Sequence, residues 1–342
     1  MTGATDFHVI VAGGGMAGVV AAIAASRNGA RTLLTDRFNF LGGNATAGLL
    51  GNFLTFHNMK GEQITAGIAQ EVVDRCIALG GAFKEHRGHL PNAYGNAYSV
   101  TPIDAEVLKL VTLQLCLQAG VRLMLNTYTL GSVMEGSRIA GIRVANKSGE
   151  QTLRAKVVID ATGDADLVAK AGGPFQQGDD DGRVMSISLF SRMGGVDLDQ
   201  HLRYVKEHPD QFMLGEDPCI GKTREEIAAG LQHWMDYPLV TGHYDAVKEA
   251  KAKGEMHPNR ERIVFSITTI RAWSRSTPPA CWVTTRPTPG SSRKWPSRGA
   301  SRYSSSRASS GSTCRGFRIR SCSIRPRRLA CARAAGSWVS GR

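Results

Sequence analysis

The stretch His8 to Arg37, HVIVAGGGMAGVVAAIAASRNGARTLLTDR, constrains the fold more than any other part of the chain. An apolar run, His8-Val9-Ile10-Val11-Ala12, stops at three consecutive glycines, and helical spacing begins at Met16. That change of period reads as strand, tight turn and helix. The glycines fall as G-x-G-x-x-G at Gly13, Gly15 and Gly18. In such a turn the first glycine lets the chain leave the strand, the second lets the backbone approach a pyrophosphate, and the third lets the helix pack close to the sheet. Exposed N–H groups at the helix start then face a dianion. After the helix, Thr32-Leu33-Leu34-Thr35 forms a second strand and delivers Asp36, roughly 20 residues beyond the glycines, where a carboxylate accepts hydrogen bonds from a ribose diol. An ordinary βα turn would account for the glycines but not for the acid, so the unit predicts binding of a dinucleotide whose adenosine lacks a 2′-phosphate.

With 342 residues the chain is long enough for two domains. It has no apolar run near 18 residues and no charged leader before the first strand, so export and membrane insertion are not expected. Seven cysteines show no CxxC pair and no metal-ligand spacing, which predicts a reduced, cytoplasmic setting without disulfides or metal. The net charge of +13 suggests nucleic acid until its position is considered. Residues 271–342 hold fifteen Arg and one Lys with no Asp or Glu, while residues 1–270 carry 26 basic and 29 acidic side chains. The basicity belongs to the tail alone.

A second glycine-rich stretch, Phe38-Asn39-Phe40-Leu41-Gly42-Gly43-Asn44-Ala45-Thr46, follows the second strand. Paired glycines leave backbone bare, which suits a loop against a flat ring or a phosphate, although for this segment in isolation a flexible turn is the better reading. Further on, Val157-Val158-Ile159-Asp160-Ala161-Thr162-Gly163-Asp164 is a β-branched strand ending in small residues, as required where a chain returns to a dinucleotide at a sheet's carboxyl edge. GGGxAG, an acid-Arg pair, LGGxAT and DATGD occur here in that order. In this the chain resembles the FAD-dependent oxidoreductases with the glutathione-reductase-type flavin fold, near the branch related to fumarate reductases and ketosteroid dehydrogenases.

The resemblance implies that Gly13, Gly14, Gly15, Met16, Ala17 and Gly18 surround the FAD pyrophosphate and that Asp36 and Arg37 lie at the adenosine ribose. It implies that Leu41, Gly42, Gly43, Asn44, Ala45 and Thr46 lie on the ribityl and flavin side, that Leu130 lies near the adenine, and that Ala161, Thr162, Gly163 and Asp164 close on the cofactor. Some relatives attach flavin through a histidine near the LGGxAT motif; Asn44-Ala45-Thr46 has none, so noncovalent FAD is implied. The expected fold is α/β: a Rossmann-like three-layer FAD/NAD(P)-binding domain from 1–55 and 101–175, a discontinuous substrate domain from 56–100 and 176–270, and a disordered tail. The implied activity is hydride transfer from a small-molecule substrate to the flavin.

Between the motifs, residues 54–100 are mixed and rich in His and Tyr; His57 is a conceivable proton donor, but surface residues are the better reading and no catalytic role is assigned. Thr101 to Gly120 reads as a helix, Val121 to Leu125 as a strand, and Leu130 to Val144 as a meander. Asp164 and Asp166 read as caps for a helix starting near Ala165, and Asp179 to Asp181 as a solvated loop without calcium spacing. Strands are expected over Val184 to Arg192 and Arg262 to Thr269, with helical stretches between.

After Ile270 periodicity ends, Arg and Ser dominate, and four of the five Trp occur. One reading is a nucleic-acid-binding arm that folds on contact. The other, favoured here, is a change of reading frame in a GC-rich gene. Read from the third base of permitted codons, Cys281 to Pro287 allows L-G-D-D-P, Thr313 to Phe317 allows V-P-G-F, and Cys331 to Ser340 allows R-E-S-R-R-I-V-G-E, the last resembling a motif of the family's downstream half. A change of frame would leave the redox half of the flavin pocket incomplete.

Overall fold

The computed structural model describes residues 7–92, 97–180, 183–184, 189–215, 221–256, 261–268 and 281–285. In chain order the strands and helices are β1 (Phe7–Ala12), α1 (Met16–Arg27), β2 (Thr32–Thr35), β3 (Asn52–Phe53), α2 (Ile68–Ala78), β4 (Leu90–Pro91), β5 (Ser99–Pro102), α3 (Ala105–Gln118), β6 (Arg122–Met124), β7 (Tyr128–Glu135), β8 (Arg138–Asn146), β9 (Gly149–Asp160) and α4 (Asp166–Lys170). They continue as β10 (Leu189–Met193), α5 (Leu198–Glu207), α6 (Arg224–Gly230), β11 (Leu239–Gly242), α7 (Tyr244–Ala252), β12 (Ile263–Ile267) and β13 (Cys281–Thr285).

The main sheet has the order β6-β2-β1-β9-β8-β7. Its β6-β2-β1-β9 part is parallel, and β9 runs on into an antiparallel meander with β8 and β7. Register aligns the strand ends: Ala12 pairs with Thr35 on one side and with Asp160 on the other. Three strands therefore end level, and the residues after them, Gly13, Asp36 and Ala161, are brought to one carboxyl edge, where ligands of parallel sheets bind. The layer over this sheet is α1, α2 and α3, joined through Val19, Ala22, Ile23, Val72, Val73, Cys76, Leu108, Val111 and Leu115, all fully or almost fully buried. Cys76 and Cys116 are free and buried in this layer, and burial pushes both thiols up to about 12.

A second, four-stranded sheet, β10-β13-β12-β11, carries its own core around Phe212, Tyr237, Val240 and Phe265. Several elements differ from the sequence expectation. Thr101 lies in β5 and α3 starts only at Ala105, because Asp104 caps it by accepting hydrogen bonds from Glu106 and Val107 N–H. Helix α2 lies within 56–100 yet packs on α1 and α3, since Gln70, Val72, Val73 and Cys76 form one buried face. The strand expected over Val184 to Arg192 is described as Leu189–Met193, with 185–188 outside the described residues. The tail also differs: Cys281–Thr285 is a strand between β10 and β12, and residues 271–280 and 286–342 lie outside the described residues.

Candidate cofactor site

Two glycine loops meet at the carboxyl edge of β1. Gly13 leaves the strand with φ +106°, and a Cβ there would collide with the Ala161 carbonyl. A Cβ on Gly18 would collide with the Gly13 carbonyl oxygen, so α1 lies as close to the turn as backbone permits. A Cβ on Gly14 would stand 2.6 Å from the Leu41 side chain and 3.0 Å from that of Asp36. Gly15 is different. Its φ of −64° suits any residue, and a Cβ there would meet nothing within 4 Å. No side chain caps α1, although each helix start leaves N–H groups without intrahelical partners. Open space beside Gly15 and an uncapped helix start are what a bound pyrophosphate needs. The residues present thus fit the ADP half of FAD.

The second loop rests on the first. Gly42, with φ +108°, donates its N–H to the Gly14 carbonyl at 2.8 Å, and a Cβ on Gly43 would stand 2.9 Å from the Gly15 Cα. Thr46 fixes the loop by donating its hydroxyl to the Leu41 carbonyl at 2.8 Å. Leu41, Ala45 and Thr46 are buried, whereas Asn44 and Ala17 are exposed. Leu41 and Ala45 therefore hold the loop in the core, with Gly42 buried against the first turn and Gly43 half-buried beside Gly15.

Asp36 already serves the protein. One carboxylate oxygen accepts the Gly14 N–H at 2.5 Å and the other the Phe38 N–H at 2.7 Å, each keeping capacity for a second donor such as a ribose hydroxyl. Arg37 is exposed, with its guanidinium 4.9 Å from the Phe38 ring centroid. The start of β7 passes the same acid, since the Thr127 N–H donates to the Asp36 carbonyl at 2.8 Å; Leu130, half-buried, comes three residues later.

Asp160 was not among the expected site residues, yet it organises the edge. One oxygen accepts from the Thr162 N–H and hydroxyl at 3.1 and 2.7 Å, the other from Leu167 and Val168 N–H at 2.9 and 3.1 Å. Burial pushes this carboxyl up, but the hydrogen bonds win and hold it below the usual carboxylate range. Thr162 Oγ1 accepts the Asp166 N–H at 2.9 Å. The expectation that Asp164 and Asp166 cap α4 is corrected: the cap position is Ala165, and its N–H groups are satisfied from Asp160 and Thr162. Gly163 and Asp164 lie exposed beyond that knot. The first residues of DATGD thus shape the edge, and a β-strand ending in Asp-x-Thr before a short helix was the signal for it.

Residues 8–295 match the family model described as FAD dependent oxidoreductase. The chain belongs to that family. FAD is the cofactor of that family, and the fold is the Rossmann-like α/β arrangement expected of it. Comparison with curated proteins finds no match. Among solved structures, the chain is similar to a myxobacterial chondrochloren halogenase, a FAD-dependent halogenase, at 16% identity over 82% of this chain and 52% of that one, with a TM-score of 0.48. It is also similar to the flavin-dependent monooxygenase PieE, at 18% identity over 87% and 46% with a TM-score of 0.42. A geranylgeranyl bacteriochlorophyll reductase-like protein from Thermoplasma acidophilum gives 22% over 56% and 48%, with a TM-score of 0.39. The chain spans 61%, 48% and 52% of the first three solved structures it matches. Among the described residues no His, Cys, Asp and Glu group could hold a metal ion, and no helix is long and apolar enough to cross a membrane.

Proposed function

We propose that this flavoenzyme binds FAD noncovalently and oxidises a small-molecule substrate by hydride transfer. When bound, FAD supplies the two-electron acceptor. The observation that carries the reading is the open space at Gly15 beside an uncapped α1, in a loop where Gly13, Gly14 and Gly18 are all closely packed. Gly15 to Gly18 would hold the pyrophosphate by backbone N–H groups, Asp36 and Arg37 the ribose, the chain near Leu130 the adenine, and Leu41 to Thr46 with Ala161 to Asp164 the approach to the flavin. Purified full-length chain should be yellow, bleach with dithionite and recolour in air. A folded, colourless chain that takes up no added FAD overturns the proposal.

We also infer a change of reading frame near residue 270, on the abrupt shift to Arg, Ser and Pro and the three recovered motifs. Against it stand the strand Cys281–Thr285 and the family match to residue 295. Sequencing the gene across this point decides: if no single insertion or deletion restores those motifs, the inference fails. If one insertion or deletion does restore them, the redox half of the pocket is incomplete in the present chain and its turnover is weak or absent.

A further inference from the structure

Residues 54–101 bring two histidines together in opposite surroundings. His89 is 5% exposed; its Nε2 lies 2.8 Å from Gln70 Oε1 and its Nδ1 2.7 Å from Thr101 Oγ1. Gln70 Oε1 also accepts from Gln63 at 2.7 Å, while Gln70 Nε2 donates to Asp74 at 3.0 Å. An amide oxygen only accepts, so Nε2 of His89 carries the proton and Nδ1 accepts from Thr101. Both nitrogens are used, and burial, with His57 and Arg87 nearby, brings its pKa down to about 4.

His57 is half-buried, with its ring 5.3 Å from that of His89. Its Nδ1 lies 2.9 Å from Ser99 Oγ, which lies 3.2 Å from Thr55 Oγ1; the Thr55 hydroxyl donates to the His57 carbonyl at 3.2 Å. Thr55 has one proton and spends it there. Ser99 therefore donates to Thr55 and accepts from His57 Nδ1–H, which leaves His57 Nε2 as an open lone pair. Four large apolar side chains on the neighbouring chain, Leu54, Met59, Ile64 and Tyr98, are exposed, alongside the exposed polar Lys60, Glu62 and Gln63 of the hairpin. Gln63 bridges to His57, the Ile64 N–H donates to the Phe56 carbonyl, and the Tyr98 ring lies 6.0 Å from His57.

We propose that His57 Nε2 accepts the proton released when an apolar alcohol or amine, lying against Leu54, Met59, Ile64 and Tyr98, is oxidised. The proposal rests on the flavoenzyme reading above, which names the oxidant. The substrate carbon gives up its hydrogen with two electrons to the oxidant, the O–H or N–H bond breaks, its electron pair forms the C=O or C=N bond, and the proton passes to Nε2. Ser99 and Thr55 are positioning residues that fix the tautomer. His89, neutral at neutral pH, lets His57 take the charge without a second imidazolium beside it. The other ionisable groups facing this pair are Tyr98, Asp74, Arg87 and, on the hairpin, Glu62.

Diethyl pyrocarbonate, which acylates unprotonated imidazole, tests this on the full chain with its flavin. His57 should react faster than His89 by about ten-fold, because an open lone pair keeps the reactivity that a buried, hydrogen-bonded one loses. Benzyl alcohol should slow the His57 reaction and glycerol should not. Ser99→Ala should move the pH midpoint of the reaction, and Ser99→Thr should restore it. Equal reactivity of the two histidines, equal protection by glycerol, or an unmoved midpoint in Ser99→Ala overturns the proposal. The visible spectrum of the same sample separates the two readings: a yellow chain with an unprotected His57 sinks this proposal alone, and failure to hold flavin sinks the one beneath it.

Discussion

The glycine cradle and the histidine pair answer the same need, a fixed array of donors and acceptors, with different materials. The cradle is made of backbone. Gly13, Gly14, Gly18, Gly42 and Gly43 are required because a Cβ would strike a neighbouring main chain or side chain, and the start of α1 carries no side-chain cap. The pair is made of side chains from β5, α2, the loop after β3 and the residue just before β4, each held by a partner far along the sequence, such as His57 with Ser99 or His89 with Gln70. A backbone site is rigid and indifferent to pH. A side-chain site is tunable and titrates.

The largest expected effect comes from filling the cradle. Gly18→Ala drives a Cβ into the Gly13 carbonyl with both residues in packed elements, and should cost about 3 kcal/mol, read as a lower denaturation midpoint. Gly15→Ala is the counter-test. With open space and an ordinary φ it should change stability by less than about 0.5 kcal/mol, while weakening FAD retention. Equal destabilisation by both would mean the two glycines do not differ as described.

Acid should break the side-chain half first. His89 and His243 are brought down to about 4 and His201 to about 3, by burial in each case, with His243 also lowering His201. A histidine whose folded pKa lies below its unfolded value near 6.5 stabilises the fold fully only above that value, and the contribution is lost as pH falls from about 6.5 toward about 4. Fluorescence of Trp234, which lies against Phe83 beside the second core, should report loosening in that window. His201→Leu should flatten that part of the profile.

Asp160 gives a smaller effect in a different window. Its folded pKa is lowered, so its contribution is present above the unfolded value near 3.9 and is lost as pH falls below it. Asp160→Ala should cost about 1 kcal/mol at neutral pH, the worth of a good helix cap, and Asp160→Asn less. A chain whose β1–α1 edge loosens at the same pH as its second core would contradict the separation.

Legibility in the sequence divides along the same line. Gly13 to Asp36 could be read because each glycine answers a local backbone demand and the strand-turn-helix period surrounds it. Leu41 to Thr46 could be read as a loop against a ligand, but not as a loop seated on Gly14 and Gly15, since that contact joins two turns with no shared period. Helix α2 was missed because Gln70 stands on its buried face, where it holds His89; a polar residue at a core position hides the helical stripe. Asp160 was missed because its four partners become neighbours only once β9 ends.

The smallest effect probes the joint between the two halves. Arg27 at the end of α1 makes two hydrogen bonds to Glu71 on α2, at 2.7 and 2.9 Å, next to Gln70, which holds His89. The hydrogen bond and charge of the pair raise the Arg27 pKa and lower that of Glu71, but both side chains are substantially exposed, at 40% and 30%. Solvent screening limits such a pair to about 0.5 kcal/mol, so Arg27→Ala should barely move the denaturation midpoint. It should also leave the reactivity of His57 unchanged, because α2 is held on α1 and α3 by Val72, Val73 and Cys76 rather than by the ion pair. A changed His57 reactivity in Arg27→Ala would show that the cradle helix sets the histidine pair, and that the two halves act as one site.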